Sequence, residues 1–263
     1  MEKGGIWKEL AESEMVLVGL GEEWNETRYL GRDQIYVCGR QWLEAEGHSW
    51  LVPAWMEYCL EDPVKDGLKE ARDKLIRCLE GKNYFVVSVS THTAVARGAW
   101  REGRFVAPCG TAWKKQCRNT CNKGPVPVTE EDWQSLRRLF DGLSQGTMFQ
   151  AEENGLGCCA DCGTPYVLNT VYATDYDERG YQDSWQQYTK WLQGTMNRRL
   201  LVLELGVGMQ FPSVIRWPFE KIAFYNQKAG FYRVNGHLYQ LTKELAGKGC
   251  GISQNAIDWL RCM

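Results

Sequence analysis

The sequence predicts an open α/β fold built on a parallel sheet, and three observations carry that prediction. Leu200 to Leu205 is a short, almost continuous apolar run ended by the G-x-G turn of Gly206 and Gly208, as expected of a strand buried on both faces. After Pro212, Val214, Ile215, Phe219, Ile222, Ala223 and Tyr225 recur at helical spacing, Gly230 closes that helix, and FYRV starts another strand. Earlier runs, MVLVG and NYFVVSV, end in the same way on small or polar residues. In such sheets, glycines at the carboxyl end of a strand let backbone N–H groups approach a phosphate or ribose. A tight turn with no ligand is the equal alternative for a G-x-G taken alone.

In chain order, IWKELAESE reads as a first short helix and MVLVG as the first buried strand, with Gly19 and Gly21 forming a second G-x-G around Leu20. The stretch from Glu22 to Pro63 is irregular and rich in Trp and Tyr, which suits loops and short helices wrapping a crevice. Its WLVPAWMEYCL portion reads as packing, and so do Trp24, Trp42 and Trp50, although an acyl channel is the alternative for those three. Pro63 fits the first turn of a long helix whose apolar face is Leu68, Ala71, Leu75, Ile76 and Leu79, stopped by Gly81. The strand YFVVSV delivers Ser88, Ser90, Thr91 and His92 to its carboxyl end, and RFVAPCG delivers Cys109 and Gly110 to the same rim. A lone histidine is more often structural than catalytic, so His92 is a candidate by position only.

Residues 111–164 change character. Cys117 and Cys121 form C-x3-C, and Cys159 and Cys162 form C-x2-C before Gly163. Two such pairs fit a tetrahedral zinc knuckle, with Cys158 an alternative to Cys159, and a closed four-thiolate site would be structural. Between them TEEDWQSLRRLFDGL reads as a polar helix capped by Thr129, with Asp132 in its first turn. PYVLNTVYATD is expected to run alongside the sheet, SWQQYTKWLQGTMN to be a helix with Trp185, Tyr188, Trp191 and Leu192 inward, and ISQNAIDWLRC a last helix capped by Ser253.

Composition narrows the functional classes. The chain has 263 residues, 44% hydrophobic and 24% charged, with a formal net charge of −2, so no basic field points to nucleic acid. No run approaches the length of a membrane span and MEKGGIWKEL does not resemble a signal peptide, so a cytoplasmic protein is expected. Eleven cysteines in that compartment argue for metal ligands over disulfides.

The order of these parts resembles the sirtuin family of NAD-dependent protein deacylases and ADP-ribosyltransferases. MVLVGLG matches the family's first strand and glycine-rich turn, YFVVSVSTH the strand ending in T-Q-N-I-D, and RFVAPCG the strand ending in the catalytic His-Gly. The four cysteines match the zinc module, ELGVGMQFP the G-T-S-L-x-V-x-P loop, and FYRVN the strand whose Asn contacts the adenosine ribose. ELGVGMQFPSVIRWPFEK looks most like the bacterial, macrodomain-linked branch. The resemblance implies a Rossmann-like parallel sheet of the sirtuin, or DHS-like, NAD-binding fold with an inserted zinc-knuckle module. Residues 1–110 and 165–263 would form the NAD-binding domain, 22–63 would wrap its crevice, and 111–164 would be the insertion. It also implies NAD contacts at Gly19, Gly21, Glu22, Ser90, Thr91, Gly206, Gly208, Met209 and Asn235, and zinc on Cys117, Cys121, Cys159 and Cys162.

The departures bear on activity. The family's Asn of T-Q-N-I-D falls on Ser90, its Asp on His92 and its catalytic His on Cys109; no counterpart of G-I-P-x-F-R is present. A cysteine with an ordinary pKa near about 8.5 is a poor base unless that value is depressed. ADP-ribosyl transfer asks less of a base, because binding and electrostatic stabilisation can carry much of the barrier. His92 is then the candidate base, Glu22 a candidate stabiliser of positive charge, and Cys109 and Ser90 the further catalytic candidates. The leading expectation is NAD-dependent ADP-ribosyl transfer or deacylation on an acylated or ADP-ribosylated protein target. The alternatives are a degenerate sirtuin that binds NAD or an ADP-ribose derivative without turnover, and an NAD hydrolase.

Overall fold

The computed structural model describes residues 4–25, 27–61, 67–121, 123–147 and 155–262. In chain order the helices and strands are α1 (Gly4–Glu12), β1 (Met15–Leu20), α2 (Thr27–Leu30), α3 (Gln34–Ala45), α4 (Val52–Cys59), α5 (Gly67–Leu79), β2 (Asn83–Ser88), α6 (Thr93–Ala96), β3 (Phe105–Val106) and β4 (Gly110–Cys117). They continue with β5 (Val126–Pro127), α7 (Glu130–Ser144), β6 (Tyr166–Thr170), α8 (Gln182–Gln193), β7 (Leu200–Leu205), α9 (Arg216–Tyr225), β8 (Gly230–Val234), β9 (Gly249–Ile252) and α10 (Ala256–Arg261).

Six of the strands form one parallel sheet in the order β3-β2-β1-β7-β8-β9. Its central strands are largely apolar because both faces are covered, with Glu204 of β7 and Arg233 of β8 the buried charged exceptions. Val16, Val18 and Leu20 of β1 pack with α1, α5 and α10, whereas Met15 and Leu17 pack with Tyr188 and Trp191 of α8 and Phe219 and Ala223 of α9. Leu68, Ala71, Leu75 and Leu79 form the buried face of α5, whereas Ile76, expected on that face, is only half-buried; Pro63 lies outside the described residues. In α8 the expected residues also turn inward.

The second, three-stranded sheet is antiparallel, in the order β5-β4-β6. PYVLNTVYATD therefore does not flank the large sheet: its β6 pairs with β4, registering Tyr166 against Cys117. This small sheet shares one hydrophobic core with α2, α3, α4 and α7, where Leu30, Tyr36, Trp50, Trp55 and Met56 meet Ala112, Phe140, Cys159 and Leu168. Trp24, by contrast, is wholly buried in the core of the large sheet. Thr129 and Asp132 cap α7 reciprocally, as their spacing predicts.

Three sequence expectations are corrected. The helix after Pro212 ends at Asn226, not at Gly230, which already belongs to β8, and Tyr225 is 72% exposed. Ile252, read as the start of the last helix, instead ends the edge strand β9, GCGI, which its two glycines conceal. The last helix is capped by Asn255, whose side chain accepts from the N–H groups of Ile257 and Asp258 at 3.0 and 3.3 Å; Ser253 precedes the cap. Accordingly, Asn255→Ala should cost about 1 kcal/mol in denaturant unfolding, whereas Ser253→Ala should stay within about 0.5 kcal/mol. Equal costs would return the cap to Ser253.

Candidate functional site

The carboxyl ends of β1, β7 and β8 are locked together. The Gly21 N–H donates to Leu205 O (2.9 Å), and a Cβ at Gly21 would overlap the Gly206 carbonyl and Val207 Cα. Gly206 has φ +69°, and a side chain there would meet Glu23 Cβ at 2.5 Å. Gly19 serves packing, since a Cβ would strike Ile215 and Phe219. These glycines are thus required for the approach of one loop to another, whatever ligand the edge takes.

The two glutamates after Gly21 fill the N–H groups that this edge presents. Glu22 Oε2 accepts from Gly208 N (2.5 Å) and Oε1 from Gln210 N (2.9 Å). Glu23 Oε1 accepts from Gly236 N (2.9 Å) and Oε2 from Ala256 N (2.6 Å) at the start of α10. Asn235 sits beside them, its amide donating to Val207 O (3.1 Å) and its Oδ1 accepting from the N–H groups of His237 and Leu238. Met209 is exposed at the tip of the β7 loop. Four backbone donors therefore converge here on anions, which suits a phosphate-binding edge, but the anions present are the chain's own carboxylates.

From the β2 end, Ser90 Oγ donates to Asn25 Oδ1 (2.8 Å) or to Trp24 O (3.1 Å) and accepts from His92 N (3.2 Å), while Thr91 N donates to Asn25 Oδ1 (3.2 Å). Ser90 and Thr91 are buried, so they fasten the β2 loop to the residues after β1. His92 turns elsewhere. Its Nδ1 accepts from Ala94 N (3.1 Å), capping α6, and lies 3.9 Å from Glu57 Oε1. Both side chains line a cavity of about 850 Å³ between α4, α5, α6 and α7, shared with Arg72, Arg97 and Trp133. Burial pushes the Glu57 carboxyl up to about 8, against the opposing effect of the Thr93 N–H it accepts at 2.7 Å. A separate cavity of about 740 Å³, bounded by Met15, Asn83 and Trp191, opens at the amino ends of β1 and β2, the edge opposite the loops.

Cys109 is 1% exposed at the β3–β4 turn. Burial, with the nearby negative charge of Glu22, pushes its thiol up to about 12, so it is protonated at physiological pH and cannot serve as a base. Sequence reasoning missed Tyr172, which accepts a hydrogen bond from Gln210 Nε2 (3.0 Å) and whose pKa is raised mainly by burial, with the Glu22 carboxylate adding to it. It joins the β6 end to the same crevice. Arg40, on α3, interacts with both Tyr36 and Tyr172 across the small-lobe wall.

The four predicted cysteines meet. Their sulfurs all lie within 4.8 Å of one another, with Cys117–Cys162 at 3.4 Å and Cys121–Cys159 at 3.5 Å. Zinc–sulfur bonds of about 2.3 Å require tetrahedral edges of about 3.8 Å, so the donor set fits zinc without large movement. Cys159, not Cys158, faces the cluster; Cys158 is exposed and bridges to Pro165. The turn is tightened by Gly163 N donating to Cys159 O (2.8 Å), with Gly163 at φ +70°. N–H groups of Asp161, and then of Cys162, aimed at Cys159 hold its thiol down at about 6.

Fold and site together define a class: open, parallel α/β proteins of Rossmann type carrying an inserted four-cysteine module. Within that class the chain has the sirtuin fold, in a divergent form. It superposes on a sirtuin structure concerned with substrate affinity (TM-score 0.58, 14% identity, 100% of this chain and 98% of the other). It likewise matches Sir2 with a p53 peptide and NAD+ (0.55, 12%, 100% and 97%) and Sir2 bound to an acetylated peptide (0.56, 13%, 100% and 97%). No protein-family model matches the sequence. A curated relative from Fusarium oxysporum f. sp. cubense, named a probable bifunctional ADP-ribose hydrolase/ADP-ribosyltransferase, is 24% identical over 144 residues, 54% of this chain. The match spans only 24% of that relative's length. No helix among the described residues is long and apolar enough to cross a membrane.

Two outcomes follow. Purified protein should carry one zinc per chain by elemental analysis, and Cys162→Ser should lose the metal and melt at lower temperature, since structural zinc supplies folding free energy; full retention of metal in that variant would remove the site. Glu57 titrates near 8 when folded against 4.5 as its ordinary value, so its contribution to stability is fully present below about pH 4.5 and is lost as pH rises to about 8. Glu57→Gln should therefore be less pH-sensitive, and by pH 8 should have gained about 3.5 kcal/mol on the wild type relative to pH 5. Parallel stability curves would contradict this.

Proposed function

We propose that the chain is a sirtuin-type module that binds NAD at the carboxyl edge of its large sheet and transfers ADP-ribose, with no role as a lysine deacylase. The observation that carries this reading is the neutral, buried thiol of Cys109 where the resemblance implies a histidine base. Deacylation in the family needs a group that removes a ribose hydroxyl proton, and a thiol pushed up to about 12 will not do so. Transfer of ADP-ribose can proceed on binding and electrostatic stabilisation with less help from a base. The name of the fungal relative supports the same chemistry.

The residues assigned to binding are those at the loop edge: Gly21, Gly206, Gly208, Met209 and Asn235, with Ser90 and Thr91 holding the β2 loop in place; Glu22 takes donors of that edge in the free protein. Ser90 is a positioning residue on this reading, since its hydroxyl is taken up by Trp24, Asn25 and His92. His92 is assigned to capping α6. The four cysteines would hold a structural zinc, and residues 111–164 would be the inserted module around them, its small sheet completed by β6. A second reading, binding without turnover, is favoured by the lack of a proton acceptor among the candidates: the Cys109 thiol is protonated and His92 caps α6.

The test is to incubate the protein with NAD and follow nicotinamide, with and without acyl-lysine peptides. Peptide-independent release with labelled ADP-ribose appearing on protein is expected, and Cys109→Ser should stay within about twofold of wild type, because both side chains are neutral. Release that depends on acyl peptide and collapses in Cys109→Ser would reinstate deacylation. No release under any condition, with NAD still raising the melting temperature, would select the binding-only reading.

A further inference from the structure

We propose that Glu22 is a built-in competitor for phosphate, so that the ligand edge of the free protein is occupied by its own side chain and a phosphorylated ligand binds only by displacing it. This rests on reading the crevice as a phosphate-binding edge.

The G-x-G turn after β7 aims the N–H groups of Gly208 and Gln210 at one point. Both are taken by the two oxygens of a single carboxylate, 2.5 and 2.9 Å away, delivered from a residue 186 positions earlier than Gly208. A carboxylate and a phosphate make the same demand of such a turn: each is an anion that accepts converging backbone N–H groups. They cannot both occupy it. The fit is close on the protein side, since a Cβ at Gly208 would lie 3.0 Å from Glu22 Oε2, so glycine at 208 is what lets the carboxylate reach these donors. Glu23, directly beside it, takes the N–H groups of Gly236 and Ala256. A pyrophosphate placed beside two carboxylates would also meet like charge. Glu22 thus sets the specificity of the crevice: it weakens binding of phosphorylated ligands and leaves an uncharged nucleoside unaffected.

The experiment is calorimetric titration of wild type, Glu22→Ala and Glu22→Gln with NAD, inorganic pyrophosphate and adenosine. Both variants should bind pyrophosphate and NAD at least tenfold more tightly than wild type, with adenosine affinity unchanged. Glu22→Ala removes two bonds that tie the loops; Glu22→Gln keeps the side-chain shape and decides the matter if the alanine variant does not fold. Tighter pyrophosphate binding with NAD bound by none of the three proteins would sink the dinucleotide reading and leave the Glu22 proposal standing. Pyrophosphate affinity equal to wild type in a folded variant would overturn the Glu22 proposal, whatever NAD does.

Discussion

The approach of the β1 loop to the β7 loop constrains everything at the ligand edge. Gly21 lies so close to Gly206 and Val207 that no side chain fits between them. Chains packed that tightly leave backbone N–H groups pointing inward, and each needs an acceptor. Two consecutive carboxylates meet that need. Glu22 reaches the β7 loop and Glu23 reaches both the end of β8 and the start of α10, so four chain segments are joined by neighbouring residues. Hydrogen bonds to a charged acceptor contribute roughly 1.5–3 kcal/mol each, so the cluster is a major term in the order of this edge.

Behind the edge lies a second charged assembly. Glu204 of β7 is fully buried and accepts from Arg233 of β8 at 2.6 Å, with Arg216 of α9 at 3.4 Å; Arg233 also reaches Glu220 at 2.6 Å. Buried charges of this kind are costly, and breaking one partner leaves the others uncompensated. What the assembly achieves is visible in its remaining donors. Arg216 donates to Leu238 O (2.9 Å) and Arg233 to Gln240 O (2.6 Å), so the segment after β8 is pinned against the sheet. The crevice wall beside Asn235 is fixed from beneath by ions and from the front by Glu23.

The large sheet was legible because β1, β2 and β7 are buried on both faces, which writes them as nearly continuous apolar runs, interrupted in β7 only by Glu204; α5 and α8 were legible from their helical stripes. Of the four clustered thiols, Cys117, Cys121 and Cys162 were legible from spacing, whereas spacing left the fourth between Cys158 and Cys159. The small sheet was not, because β4 reads GTAWKKQC, a strand of mixed polarity whose partners are remote in sequence. Strand β9 was hidden by glycine, and Asn255 by the serine two residues before it. Side-chain direction was the least legible feature. Position predicted that His92 would face the crevice, but its backbone enters α6 there, and the ring is used to satisfy the Ala94 N–H. Nothing in G-E-E announces that both carboxylates fold back onto the protein.

The metal module and the crevice are also one problem in packing. Cys117 and Cys159 belong to the same core as Tyr36, Trp55 and Phe140, and Trp55 both donates to Tyr36 O (3.0 Å) and abuts Gly39. Tyr36 and Arg40 stand on one helix, α3, and face Tyr172 across the crevice. An ion held by the four sulfurs would therefore stabilise the wall that closes the crevice from the small-lobe side, although it has no open coordination position with which to touch a ligand. That division of labour accounts for how the chain keeps the sirtuin fold while its edge chemistry diverges. The sheet, the buried ions and the cysteine module maintain the shape, and the side chains that answer to proton transfer and charge, Glu22, His92 and Cys109, stand on the loops at or beside its edge.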